Sequence, residues 1–220
     1  SFFGSILNVP KVKLIDEDAF EAFNYYRSSA WKIRGVDEPL SQLKKAGNNN
    51  LYSYRYDWDD HRRLVVADFK KLIGAAHATE IPLLTGNTDL VGGYPLSDLI
   101  YPPSFSKRYL SKNMMQFWSN FAKSGLPGSS SNSIVWDKYI KNNDYSNFII
   151  LDRKRKLKMS RDNNSYLSLI SQLSIDDRLT ELEKCVVLLQ MFTYVGNDIY
   201  DNHINSYPMK CSREDSEKFL

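Results

Sequence analysis

A period-two run of aromatic residues, followed by a histidine set among small ones, most constrains what this chain can fold into. From Leu51 to Trp58, Tyr52, Tyr54, Tyr56 and Trp58 alternate with Ser53, Arg55 and Asp57. Residues of high β-propensity at that period predict a strand. A charged stretch over 59–71 separates it from Leu72-Ile73-Gly74-Ala75-Ala76-His77-Ala78-Thr79-Glu80-Ile81-Pro82-Leu83-Leu84-Thr85-Gly86. Gly74, Ala75 and Ala76 leave room around His77, and Ile81 to Leu84 is an apolar run that reads as buried. A general base needs a loop at a strand end, space around its ring and shelter from bulk water. His77 is therefore a candidate base, and a satisfied structural histidine is the competing reading.

The other two histidines lack such a setting. His61 lies in Asp-Asp-His-Arg-Arg and His203 among polar residues near the C-terminus, and both read as exposed. The three are 16 and 126 residues apart with no cysteine nearby, so the sequence predicts no metal site. Cys185 and Cys211 could form one bridge or remain thiols. No apolar run approaches the roughly 20 residues of a membrane span. A net charge of +3 is too small to imply a nucleic-acid partner. The run Arg153-Lys154-Arg155-Lys156-Leu157-Lys158 lacks interleaved aromatics, and reads as a solvated turn leading into a strand.

Along the chain, Asp16 or Asp18 opens a helix through Trp31 that Gly35 ends, and Glu38-Pro39 opens another. Residues 87–104, rich in Gly and Pro, read as a long loop. A helix from Ser106 or Lys107 to Ser124 carries the stripe Tyr109, Met114, Phe117, Trp118 and Phe121, with Gly125 as its terminator. Phe148 to Leu151 is a second strand. Residues 163–178 read as loosely ordered. Thr180 and Glu183 form a capping box for a last helix, and residues 196–220 read as a polar tail open to disorder.

The segment Gly74–Gly86 resembles the histidine segment of the type-B carboxylesterase and cholinesterase family, and its Tyr-rich strand is similar to bacterial members. Asn113–Pro127, with Trp118-Ser119-Asn120-Phe121-Ala122-Lys123-Ser124-Gly125-Leu126-Pro127, resembles the family helix ending Trp-x-x-Phe-Ala-x-x-Gly-x-Pro. Trp31-Lys32-Ile33-Arg34-Gly35-Val36-Asp37-Glu38-Pro39 is similar to a bacterial esterase stretch. The resemblance covers about residues 1–160. It implies an α/β class chain with the α/β-hydrolase fold, in which residues 1–195 are the C-terminal part of a single domain.

The resemblance also implies a Ser-Glu-His triad acting on a small-molecule ester, with His77 as its histidine and no cofactor. It implies that Glu80 is not the triad acid but a buried group beside the site. A Gly-x-Ser-x-Gly elbow needs two glycines four residues apart, and no two of the ten glycines are so spaced. The serine and the acid are therefore expected on an N-terminal part of the same protein. Ser1-Phe2-Phe3 resembles the stretch just after the family's acid, which makes Phe2 and Phe3 candidates for a pocket wall. The rival is a non-catalytic cholinesterase-like binding or adhesion module.

Overall fold

The computed structural model of the chain describes residues 14–142, 145–192, 197–208 and 211, so Phe2 and Phe3 lie outside the described residues. In chain order the elements are α1 (Glu17–Lys32), a π-helical turn (Ile33–Asp37), α2 (Glu38–Lys45), β1 (Tyr54–Tyr56), α3 (Phe69–Ile73), α4 (Ile81–Thr85), a 3-10 turn (Thr88–Val91), α5 (Leu96–Ile100), α6 (Phe105–Ser124), β2 (Ser146–Leu151), β3 (Lys158–Asp162), α7 (Tyr166–Ser174), α8 (Glu181–Phe192) and α9 (Asn197–Ile204). The described residues fall into two compact units. One is built from 50–139 and 147–161, the other from 15–49, 140–146 and 162 onward. Among the described residues no helix is long and apolar enough to cross a membrane.

In the first unit the strands lie in the order β1-β2-β3. β1 runs parallel to β2, with Tyr54 opposite Ile149 and Tyr56 opposite Leu151. Parallel neighbours need a long crossover, and here it carries α3 through α6. Ser104 caps α6 by accepting the Lys107 N–H at 3.1 Å. Gly125, at φ 71°, ends it where a side chain would be strained. Leu110, Met114 and Phe117 of α6 are fully buried, in one core with Trp58, Leu83, Tyr101, Ile149 and Leu151. Each such apolar side chain contributes roughly 1.5 to 3 kcal/mol through burial.

The expected strand over 51–58 is shorter in fact, and its alternation is not a simple in-and-out pattern. Leu51, Ser53 and Trp58 are buried while Tyr54 is exposed. Ser53 is accommodated because its hydroxyl donates to the Asn147 carbonyl at 2.7 Å. The run Ile81–Leu84 is helical, since Pro82 sits in the first turn, where no N–H is required. The long loop over 87–104 contains α5. Residues 154–156 form a turn before β3, as the sequence suggests, and Arg153 is ion-paired to Asp59 and Asp60 at 3.0 Å each.

In the second unit Asp16 caps α1, accepting the Ala19 N–H at 2.9 Å. Gly35 does not end the helix. The chain passes through the π-turn into α2, and Lys32 Nζ reaches Asp37 at 2.9 Å and Asp162 at 2.7 Å. A π-turn brings residues five apart over one another, which is the spacing of Lys32 and the buried Asp37. Residues 166–174, expected to be loosely ordered, form α7. Ser165 and Ser168 cap it reciprocally, and Tyr166, Leu169, Ile170 and Leu173 are buried at helical spacing. The Thr180–Glu183 box is present, with the Thr180 N–H donating to the Glu183 carboxylate at 2.8 Å.

Residues 197–204 of the expected tail are helical. Tyr200 of α9 packs edge-on to Phe192, with ring centres 6.0 Å apart. Cys185 and Cys211 are joined in a disulfide.

Candidate active site

His77 stands in the turn between α3 and α4, and its side chain is exposed. The turn is made by backbone that few residues tolerate. Gly74 closes α3 at φ 57° and ψ −151°. Ala78, the residue after His77, has φ 70°. A left-handed conformation costs a side-chain-bearing residue roughly 1 to 2 kcal/mol. The Thr79 N–H and hydroxyl both return to the Ala76 carbonyl, at 3.1 and 2.6 Å. The left-handed backbone and these local bonds shape the turn that carries the exposed His77.

Two tyrosines tie down the far end of this turn. Tyr101 and Tyr56 both donate their hydroxyls to the Thr79 carbonyl oxygen, at 2.8 and 3.3 Å. Burial, and then the Glu80 charge, push the Tyr101 hydroxyl up to about 12. Burial, and then the neighbouring Tyr101, push Tyr56 higher still. Both therefore stay protonated and keep donating over the ordinary pH range. Glu80 is half-buried rather than buried, and its charge acts on Tyr54 as well as on Tyr56 and Tyr101.

His61 departs most from its expected place. It is only 5% exposed. Its Nδ1 lies 2.5 Å from the Ile100 carbonyl and its Nε2 lies 2.7 Å from the Gly74 carbonyl. The ring stands edge-on to Trp58 and Tyr101, which stack on each other with centres 5.9 Å apart. His203 is also partly buried, in the other unit. Its Nδ1 is 2.9 Å from the Ile199 carbonyl, and its ring lies against Tyr166 and Phe192. Charged sequence neighbours suggested exposure for His61, but the C-terminal ends of α5 and α3 leave the Ile100 and Gly74 carbonyls in need of donors, and the His61 ring lies against both.

Around the turn lie His77, Glu80, Tyr56, Tyr101 and His61. The last two carry no sequence signal, because their partners are backbone carbonyls. Among the described residues no three His, Cys, Asp or Glu side chains converge as metal ligands would. An exposed imidazole on a pinned turn can take a proton from, and return it to, a group brought against it.

The family model described as Carboxylesterase family matches residues 26–168, a span that includes β1, the His77 turn, α6 and all three strands. No curated protein matches the chain.

Proposed function

This chain belongs to the carboxylesterase family, and on that premise we propose that its His77 turn serves the hydrolysis of carboxylic esters by acyl transfer to a serine. The family implies an α/β-hydrolase fold, and a small three-stranded sheet with flanking helices fits part of one. In its finer placement the chain is a bacterial-like member of the type-B group.

The observation that carries the reading is the turn pinned at the Thr79 carbonyl that presents His77. The turn joins two helices rather than ending a strand and leaves His77 exposed, so in this proposal the shelter a base needs comes from the rest of the protein. His77 takes the serine proton as the oxygen attacks the ester carbonyl. It then gives that proton to the leaving alcohol. In the second half it takes a proton from water as the oxygen attacks the acyl carbonyl, then gives that proton to the serine oxygen as the ester bond to serine breaks and the carboxylic acid leaves. A carboxylate is needed at the other ring nitrogen to hold the tautomer. In this proposal that acid and the serine come from the N-terminal part of the same protein, because no Gly-x-Ser-x-Gly occurs in the 220 residues. Glu80 supports the turn from beside the site. The substrate is a small ester, and no cofactor takes part.

The test is an activated ester such as a nitrophenyl ester. The chain alone is expected to give no turnover above free imidazole. Assembled with a nucleophile-bearing N-terminal part it is expected to turn over, and His77→Ala removes about a millionfold of that rate. Activity of the assembly that survives His77→Ala would overturn the proposal.

A further inference from the structure

We propose that His61 is a positioning residue for the His77 turn, holding its entry through the Gly74 carbonyl while Tyr101 and Tyr56 hold its exit through the Thr79 carbonyl. This inference rests on the reading of His77 as the base, but the brace itself is a property of the fold.

The argument begins with backbone groups that no helix satisfies. Ile100 is the last residue of α5, and Gly74 is the residue that closes α3. Carbonyls at helix C-termini lack the next turn's donors. A single side chain faces both, with His61 Nδ1 against Ile100 O and Nε2 against Gly74 O, and the neutral ring donates to one of them at a time. A proton on either ring nitrogen finds an acceptor, and the imidazolium donates to both. The ring cannot readily swing away, because Trp58 and Tyr101 stand against it. Trp58 is itself held by its indole N–H to Ser106 at 2.7 Å.

Tyr101 is shared between the two ends of the brace. It touches the His61 ring and also donates to Thr79 O, while its own backbone N–H bonds Ser97 O at 2.7 Å. The six residues from Gly74 to Thr79 are therefore bound at both carbonyl ends by side chains from outside the turn. His77 lies three residues from one anchor and two from the other. Anchors so near leave the turn little freedom to move the imidazole, and small displacements of a catalytic group are costly to rate.

Backbone amide exchange on the full chain tests this without any catalytic assay. In His61→Ala the amides of Thr79 and Ile81 are expected to exchange about tenfold to a hundredfold faster, while those of Ile149 and Leu151 in β2 keep their rates. Added imidazole is expected to slow the turn amides again by filling the vacated site. His61→Gln, whose amide can donate to one carbonyl, is expected to fall between wild type and His61→Ala, and serves where the alanine variant does not fold. Unchanged turn exchange in either variant would overturn the proposal, and so would acceleration spread equally over β2 and α6. In an assembled enzyme, His61→Ala should lower kcat with KM little changed. Turn loosening in an assembly that shows no esterase activity at all would overturn the esterase reading and leave the brace standing.

Discussion

The hydroxyl of Tyr101 donates to the carbonyl oxygen of Thr79 at 2.8 Å, two residues past His77. This bond joins the end of the long connection before α6 to the turn that carries the candidate base. Tyr101 is 1% exposed, so its hydroxyl would be stranded in the core without that partner. Tyr101→Phe is expected to cost about 1 kcal/mol of stability and to loosen the turn at its Thr79 end. The Tyr101 pKa adds an alkaline signature. Its folded value, pushed up to about 12, lies above the unfolded value of about 10. The stabilisation is therefore complete below pH of about 10 and is lost as pH rises towards the folded value. Urea unfolding at stepped alkaline pH should show this decline in wild type and a shallower one in Tyr101→Phe. Parallel declines in the two proteins would refute the assignment.

The strain at Ala78 gives a prediction of opposite sign. At φ 70° its side chain crowds its own backbone, which glycine would avoid. Ala78→Gly relieves roughly 1 kcal/mol of strain and gives back a few tenths through the freer unfolded chain. The net expectation is a protein more stable by up to about 1 kcal/mol, with faster amide exchange confined to the turn. A loss of stability on thermal melting would show that Ala78 is held by contacts rather than strained.

The second unit contains an acid-sensitive contact. Asp176 accepts two bonds from the Arg178 guanidinium, at 2.9 and 2.6 Å, and one from the Tyr26 hydroxyl at 2.9 Å. The Arg178 bonds come first among the causes that hold its carboxyl well below the usual range. A carboxylate with a lowered folded pKa contributes stability above its unfolded value of about 4. That contribution is lost as pH falls through the folded value. Asp176→Asn is expected to cost about 1 kcal/mol near neutral pH, discounted for the solvent-exposed Arg178. The gap between variant and wild type should narrow as the pH falls below about 4 and close once it passes the lowered folded value, where the wild-type carboxylate is also neutral. Equilibrium unfolding of both proteins from neutral to strongly acid pH measures it, and a gap that persists at the acid end would refute it.

How much was legible in the sequence depends on where each signal resides. The helix expected from Ser106 or Lys107 to Ser124 is readable from its apolar stripe and its Gly125 stop; its Ser104 cap, which sets the start at Phe105, is seen only in the structure. The Thr180–Glu183 box is readable from the spacing of its two members. Residues 163–178 read as loosely ordered, whereas Tyr166, Leu169, Ile170 and Leu173 keep the helical spacing that α7 buries. Gly35 misled because its propensity to end helices was overridden by the ion pair that Lys32 and Asp37 make across the π-turn. At the site, His77 stood out by its small neighbours, and Glu80 entered only through the family resemblance. His61 and Tyr101 act on main-chain carbonyls, which every residue has, so no pattern of side chains could announce them. His61 was further disguised by its charged neighbours Asp59, Asp60, Arg62 and Arg63.

The disulfide between Cys185 and Cys211 closes a loop with a sequence separation of 26. Cys185 lies in α8, whose Val187, Leu188, Met191 and Phe192 form much of the second unit's core. In the chain-entropy account, a cross-link over that separation removes unfolded-state freedom worth roughly 3 to 4 kcal/mol. Cys185→Ser is therefore expected to lower stability by an amount of that order. Mild reduction of the wild-type protein should reproduce the loss, and should do nothing further to the variant. Such bridges persist in oxidising surroundings, so the reduced form is the one to expect where glutathione keeps thiols free. The decisive comparison is calorimetric melting of wild type and Cys185→Ser, each with and without reductant. If reduction leaves the wild-type melting temperature where it was, the bridge contributes little and the α8 core must be stable without it.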